Sequence, residues 1–254
     1  QDRDIPLWLN TAMTSVVDVN GKVVGVEVIR DGKPLRIQAR KAVVLAAGGF
    51  EHNQAMREQY LPQPTDHRWS AGTRDNTGDA IREGIRLGAK MHRMNEAWWC
   101  NTISVPGEEI PRLSIMEKSY PGSIMVNPAG QRFSNESQNY MAFQQETFAK
   151  HTDENPLNPS WQIFDANFRA THFVGPLYNS KFLPDWAVPK RYEEEGFFAK
   201  ADSIAELARK INVDAAGLQE TVHKINEYAR TGHDPDCHRG ESAYDRYYGD
   251  PRVT

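Results

Sequence analysis

Two turn dipeptides, Asn20-Gly21 and Asp31-Gly32, sit between runs of β-branched and apolar residues, and they constrain the fold more than any other feature of the chain. Residues 14–19 and 23–29 flank the first dipeptide, whose positive φ angles suit a tight hairpin, and residues 35–39 follow the second. An antiparallel meander of three strands is predicted. The next run, Ala42-Val43-Val44-Leu45-Ala46, is apolar throughout and ends in Ala47-Gly48-Gly49-Phe50. A strand without polar alternation needs cover on both faces, as strands of a parallel α/β sheet have, so this run is expected to be buried.

Residues 53–60 read as a short helix that Leu61-Pro62-Gln63-Pro64 stops. The polar loop from Gly72 to Asp79 opens a second helix over about residues 80–87, with Gly84 and Gly88 four apart on a face expected to pack closely. From about Asn95 the texture changes to short strands, prolines and aromatics, continuing through Trp161-Gln162-Ile163-Phe164-Asp165, which marks a second domain. Ser203-Ile204-Ala205-Glu206 is a capping box with Ile204, Leu207, Ala208 and Ile211 on one face. Asp214 starts the last helix, which turns Leu218, Val222, Ile225 and Ala229 inward and closes at Gly232.

A chain of 254 residues can bury a core unaided, and two cysteines, Cys100 and Cys237, are too few for a secreted disulfide framework. Lys and Arg number 30 against 34 Asp and Glu, with no basic block, so no nucleic-acid partner is expected. No apolar run approaches the ~20 residues of a membrane helix, and the charged first residues do not read as a leader. No transmembrane segment and a cytoplasmic location are therefore expected.

A buried strand ending in Ala-Gly-Gly before a glycine loop suggests nucleotide binding, yet Gly-x-Gly-x-x-Gly occurs nowhere. After the meander come Val43-Val44-Leu45-Ala46-Ala47-Gly48-Gly49-Phe50, Asn76-Thr77-Gly78-Asp79-Ala80, Gly88-Ala89-Lys90, and the run from Ile124 through Asn127-Pro128-Ala129-Gly130-Gln131-Arg132-Phe133-Ser134-Asn135-Glu136. This order, with the tail from Gly232 to Pro251, resembles the flavoprotein family of fumarate reductases and 3-ketosteroid dehydrogenases over essentially the whole chain. The resemblance implies FAD as cofactor and a mixed α+β and α/β fold. Residues 1–94 would be part of a Rossmann-like FAD-binding body carrying the meander, 95–239 an α+β cap that holds substrate, and 240–254 a return toward the body. It covers the middle of the family's polypeptide, after the N-terminal glycine fingerprint and before the C-terminal flavin segment. This stretch alone is thus not expected to retain FAD. The metal-ligand residue types of His233-Asp234-Pro235-Asp236-Cys237-His238 fall in a family turn that Pro235 stiffens, and no metal is expected there.

Within that family one position divides the branches, five residues after the Asn of Asn135-Glu136. Fumarate reductases hold a proton-donating arginine there; this sequence holds Tyr140, as the steroid-dehydrogenating branch does. The resemblance therefore implies 1,2-dehydrogenation of a 3-ketosteroid-like substrate, with Tyr140 catalytic as acid or base. A small apolar ketone is the expected partner, and the electron acceptor stays open. Backbone amides after a strand and at a helix start suit phosphates and ring edges, so Ala47, Gly48, Gly49, Asn76, Thr77, Gly78 and Asp79 are the FAD candidates, Asp79 serving equally well as a helix cap. Trp98, Trp99, Tyr120, Phe143, Phe173, Tyr178 and Trp186 could line a flat pocket, although such residues are commonly core. Two alternatives remain at this point. A fumarate-reductase-like enzyme would need carboxylate clamps, for which Arg112, Arg132 and Arg169 are candidates, and a non-catalytic binding module would need neither.

Overall fold

The turn residues do what their chemistry suggests. In the computed structural model, which describes residues 5–249, β1 (Thr11–Val19), β2 (Lys22–Arg30) and β3 (Lys33–Gln38) form one antiparallel sheet in the order β1-β2-β3. Asn20 and Gly21 take φ of 51° and 78°, the left-handed pair that a two-residue hairpin needs. Val26 of β2 pairs with Val16 on one side and Ile37 on the other. Helix α1 (Gln54–Tyr60) and helix α2 (Asp79–Arg86) follow. Glu83 of α2 accepts the Val16 N–H at 2.7 Å and Arg86 donates to the Val16 carbonyl at 2.6 Å. The outer edge of β1 is thereby capped by side chains instead of another strand.

Two expectations fail in this part. The run 42–46 is not a buried strand: it carries no regular secondary structure, pairs with no strand among the described residues, and Val44 is 86% exposed. Its apolar character records a need for cover that the described residues do not meet. Gly88 does not share a helix face with Gly84, because α2 ends before it and Gly88 turns the chain with φ of 81° and open space around it.

The chain divides into two units, Gln1–Tyr60 with Gly72–Met94, and Leu61–Ala71 with Asn95–Thr254. In the second unit β4 (Thr102–Ile103) pairs with β5 (Arg112–Leu113), and β6 (Ser123–Val126) with β7 (Trp161–Phe164), both antiparallel. Its helices are α3 (Tyr140–Lys150), α4 (Ala166–Thr171), α5 (Lys190–Glu194), α6 (Ile204–Lys210) and α7 (Ala215–Thr231). The two-residue period of β6 sends Ile124 and Val126 into a core with Ala208, Ile211, Val213 and Leu218, and Met125 toward Phe133, Phe143 and Leu157. Ser203 accepts the Glu206 N–H to cap α6, Asp214 accepts the Gly217 N–H to cap α7, and Gly232 closes α7 in the left-handed region. Ala229 is exposed, so the inward stripe of α7 ends at Ile225.

Residues 240–249, expected to return toward the first part, belong to the second unit, where Asp245 accepts from Asn135 and from the Gly240 N–H. Residues 250–254 lie outside the described residues. Every strand pair among the described residues is antiparallel, so small antiparallel sheets with helices make up the α+β fold. Among those residues no helix is long and apolar enough to cross a membrane.

Candidate functional site

In the first unit, two segments that are far apart in sequence meet through their backbones. The Gly78 N–H donates to the Gly49 carbonyl at 3.0 Å, the His52 N–H to the Asn76 carbonyl at 3.1 Å, and Asn53 Nδ2 to the Thr77 carbonyl at 2.9 Å. Gly48 holds φ of 76°, and a Cβ there would run into Asn76 Oδ1; at Gly78, with φ of 81°, a Cβ would lie 3.0 Å from Phe50. The left-handed conformation favours glycine at both positions, and a Cβ would have to displace the Asn76 side chain at 48 and the Met56 side chain at 78. The Glu51 carboxylate lies against Gly49 and Gly72 and accepts from Asn76 Nδ2. Of the seven candidates here, Gly48, Gly49, Asn76, Thr77 and Gly78 are brought together, while Ala47 precedes them on exposed backbone. Asp79 is not the cap. Gly78 occupies that position without a side-chain bond, and Asp79 opens α2 with its carboxylate held by Arg82 and by the Thr77 hydroxyl. Those partners keep it below the usual carboxylate range.

The second unit carries Tyr140 on the first turn of α3, where Asn139 caps the helix by accepting the Met141 N–H. The Tyr140 hydroxyl accepts the Trp98 indole N–H at 2.9 Å. The preceding turn is tied down from several sides. Buried Lys118 donates from Nζ to the Glu136 and Gln138 carbonyls, each at 2.7 Å, and lies 5.0 Å from the centre of the Phe143 ring on α3. Burial pushes the Lys118 ammonium down to about 8. Glu136, fully buried, accepts a two-pronged pair from Arg132 at 2.8 and 2.7 Å and the Met125 N–H at 3.1 Å. Burial alone would raise this carboxyl, but Arg132 and then Arg239 hold it below the ordinary range.

The tail completes the support. Arg132 also donates to Asp234 at 2.9 Å, Arg239 donates to Ser137 Oγ at 2.9 Å and to the Ser123 carbonyl at 2.6 Å, and Asn135 donates to Asp245 at 2.9 Å. The segment before Tyr140 and the tail around residues 234–245 are thus one polar network. The sequence analysis takes both stretches as parts of one family resemblance without joining them. Of the supporting residues it missed, Lys118 carries no sequence signal at all, whereas the charges of Asp234, Arg239 and Asp245 lay in plain sight.

The aromatic candidates disperse. Trp99 packs on Phe148 with ring centres 5.0 Å apart, Phe143 packs on Phe133, Tyr120 meets His172 and Phe173, and Tyr178 and Trp186 stand exposed. Only Trp98 of that set reaches Tyr140 by a hydrogen bond. Two cavities of about 550 and 540 Å³, the first beside Arg132 and Tyr228 and the second beside Asn139 and Tyr244, are not lined by Tyr140 or Trp98. The three candidate carboxylate clamps are all engaged: Arg112 by Glu108, Arg132 by Glu136 and Asp234, and Arg169 by the Tyr178 and Leu183 carbonyls and Asp185. Cys100 and Cys237 are free, and burial pushes both thiols up to about 11.

The chain is 40% identical to a 3-oxosteroid 1-dehydrogenase of Mycobacterium tuberculosis, over 99% of this chain and 45% of that protein. It is 36% identical to a 4-oxocyclohexanecarboxylate 2-dehydrogenase of Sinomonas cyclohexanicum, over 92% of this chain and 39% of that protein. Among solved structures, a 3-ketosteroid delta1-dehydrogenase from Sterolibacterium denitrificans, in complex with 1,4-androstadiene-3,17-dione, superposes with a TM-score of 0.90 at 41% identity, covering 98% of this chain and 45% of that one. The chain spans about half the length of the relatives it matches. The FAD binding domain family matches residues 1–252, and the chain belongs to that family.

Proposed function

We propose that the chain contributes to an FAD-dependent dehydrogenase that removes two hydrogens from adjacent carbons of a 3-ketosteroid-like substrate. The single observation that carries this reading is Tyr140: a phenol on the first turn of α3, its oxygen held by an indole N–H, stands where the fumarate-reducing branch would carry arginine. The engaged state of Arg112, Arg132 and Arg169 supports it, because a dicarboxylate would need a free cation. The relatives named for oxosteroids and for a cyclohexane ketone support the substrate class.

In this reading the first unit is part of a Rossmann-like FAD body and the second a cap for an apolar ketone, in a cytoplasmic protein. Glycine at 48, 49 and 78 lets this segment pack on Asn76, Glu51 and Met56 of the same unit, and the groups that would hold FAD here are the backbone amides of Ala47, Gly48 and Gly49 and of the loop Asn76-Thr77-Gly78-Asp79. FAD, when bound, supplies the hydride acceptor that no side chain can be. The protein's own task is proton transfer and placement. One C–H bond next to the carbonyl loses a proton, the neighbouring C–H loses a hydride, and a C=C bond remains. As base, the Tyr140 oxygen in its deprotonated form would take that proton and become the phenol, and the buried network under residues 134–139 fixes where that oxygen stands.

Tyr140→Phe in FAD-loaded protein is the test. The ring and its packing stay, so the flavin spectrum should not change, while turnover of a 3-ketosteroid should fall by ~10²–10⁴-fold. Anaerobic bleaching of the flavin by a panel of ketosteroids, and not by succinate, is the companion result. Parental turnover by Tyr140→Phe would sink the proposal.

A further inference from the structure

We propose that Trp98 is a positioning residue for the Tyr140 hydroxyl; this rests on the reading of Tyr140 given above. An indole N–H can only donate, so the direction of the 2.9 Å bond is fixed: Tyr140 Oη accepts, and its own proton is left for another partner. Trp98 therefore fixes the oxygen and, as a donor to it, favours the anionic form that can take a proton from carbon. An ordinary hydroxyl neighbour would not guarantee that, since it could donate or accept.

The placement of Trp98 has a visible cause. Its chain neighbour Trp99 is buried against Phe148, eight residues along α3 from Tyr140, which is about 12 Å of helix. The adjacent pair thus grips α3 at two points, Trp99 by packing and Trp98 by its N–H. Trp98 itself is 79% exposed, so it contributes little burial that could explain its identity. Because the ring is exposed, replacing it should not disturb folding.

Trp98→Phe keeps a flat ring and removes the donor. In FAD-loaded protein kcat for a 3-ketosteroid should fall about 3- to 10-fold, the size of one hydrogen bond between neutral groups, with KM changed less than about twofold. In a Tyr140→Phe background the same substitution should cost nothing more, since the oxygen it acts on is gone. Independently of activity, the Trp98 indole N–H resonance in ¹⁵N-labelled protein should move upfield when Tyr140 becomes Phe. Additive losses in the double variant would mean that Trp98 acts on substrate directly and would overturn the assignment. An unmoved indole resonance alongside a slow Tyr140→Phe overturns the Trp98 role alone, whereas parental turnover by Tyr140→Phe overturns both readings.

Discussion

In the first unit Gly48 and Asn76 meet because a carbon is missing between them, whereas in the second Arg132 and Glu136 meet because either charge would otherwise be stranded in a dry interior. The first arrangement is one of shape. Its backbone bonds join half-buried residues around a buried Gly78, and its Asp79–Arg82 pair is exposed. The second is one of charge, with Glu136, Arg132, Asp234 and Lys118 all withdrawn from water. A site built by shape fails when an atom is added, and a site built by charge fails when a partner is removed or titrated.

The largest effect is expected on the charged side. Glu136→Gln leaves Arg132 and Arg239 buried with one anion fewer, and breaking such a pair costs about 3–5 kcal/mol, readable as a lower urea midpoint. Hydrogen exchange should quicken at β6 and α3 and stay unchanged in the meander. Equal quickening in β1–β3 would break the contrast. The parent protein's acid response has the same origin. Glu136 and Asp234 are held below their ordinary values despite burial, each chiefly by Arg132, so in acid the unfolded chain binds protons that the folded one refuses. Their stabilisation is complete above about pH 4.5 and is lost as the pH falls through their folded values. Glu136→Gln should flatten that loss.

These contrasts also explain what could be read from the sequence. The meander, the α6 and α7 caps and the glycine loops are local: Asn20-Gly21, Ser203 and Asp214 act within four residues of themselves, and their chemistry predicts their conformation. Tyr140 is proposed through family resemblance alone, and no local pattern marks it out. What was hidden is long-range. Lys118 reaches the Gln138 carbonyl across 20 residues, Arg239 reaches the Ser123 carbonyl across 116, and nothing near either residue announces its target. The run 42–46 was misread for the converse reason, since apolarity states that cover is wanted and not that it is present. Asp79 was misread as a possible cap because Asp commonly caps; here a glycine takes the position and the carboxylate stands one residue into the helix.

A smaller effect tests the shape-built side. Gly48→Ala must hold a Cβ in the left-handed region and push Asn76 aside, for a cost of about 2 kcal/mol. Adding Asn76→Ala clears the collision but not the conformation, so the double variant should recover part of the loss that Gly48→Ala causes beyond Asn76→Ala alone. Strict additivity in thermal unfolding would show that Asn76 does not press on Gly48, and shape would no longer explain why these loops meet.

The smallest effect is the most diagnostic for the apolar run. Valine and threonine have nearly the same shape, so Val→Thr reports on whether a hydroxyl can reach water and little else. At Val126, wholly buried in β6 against Leu218 and Ala208, the hydroxyl has no solvent, and the change should cost about 1–3 kcal/mol. At Val44, which is 86% exposed, the same change should stay within about 0.5 kcal/mol. Both residues belong to short apolar runs with strand-like sequences, and from sequence alone Val44 has the stronger claim to burial on two faces. The two variants measured side by side in urea therefore separate a wish for cover from its presence. If Val44→Thr costs as much as Val126→Thr, the run 42–46 is covered in solution, and the reading of it as a doubly packed strand is right after all.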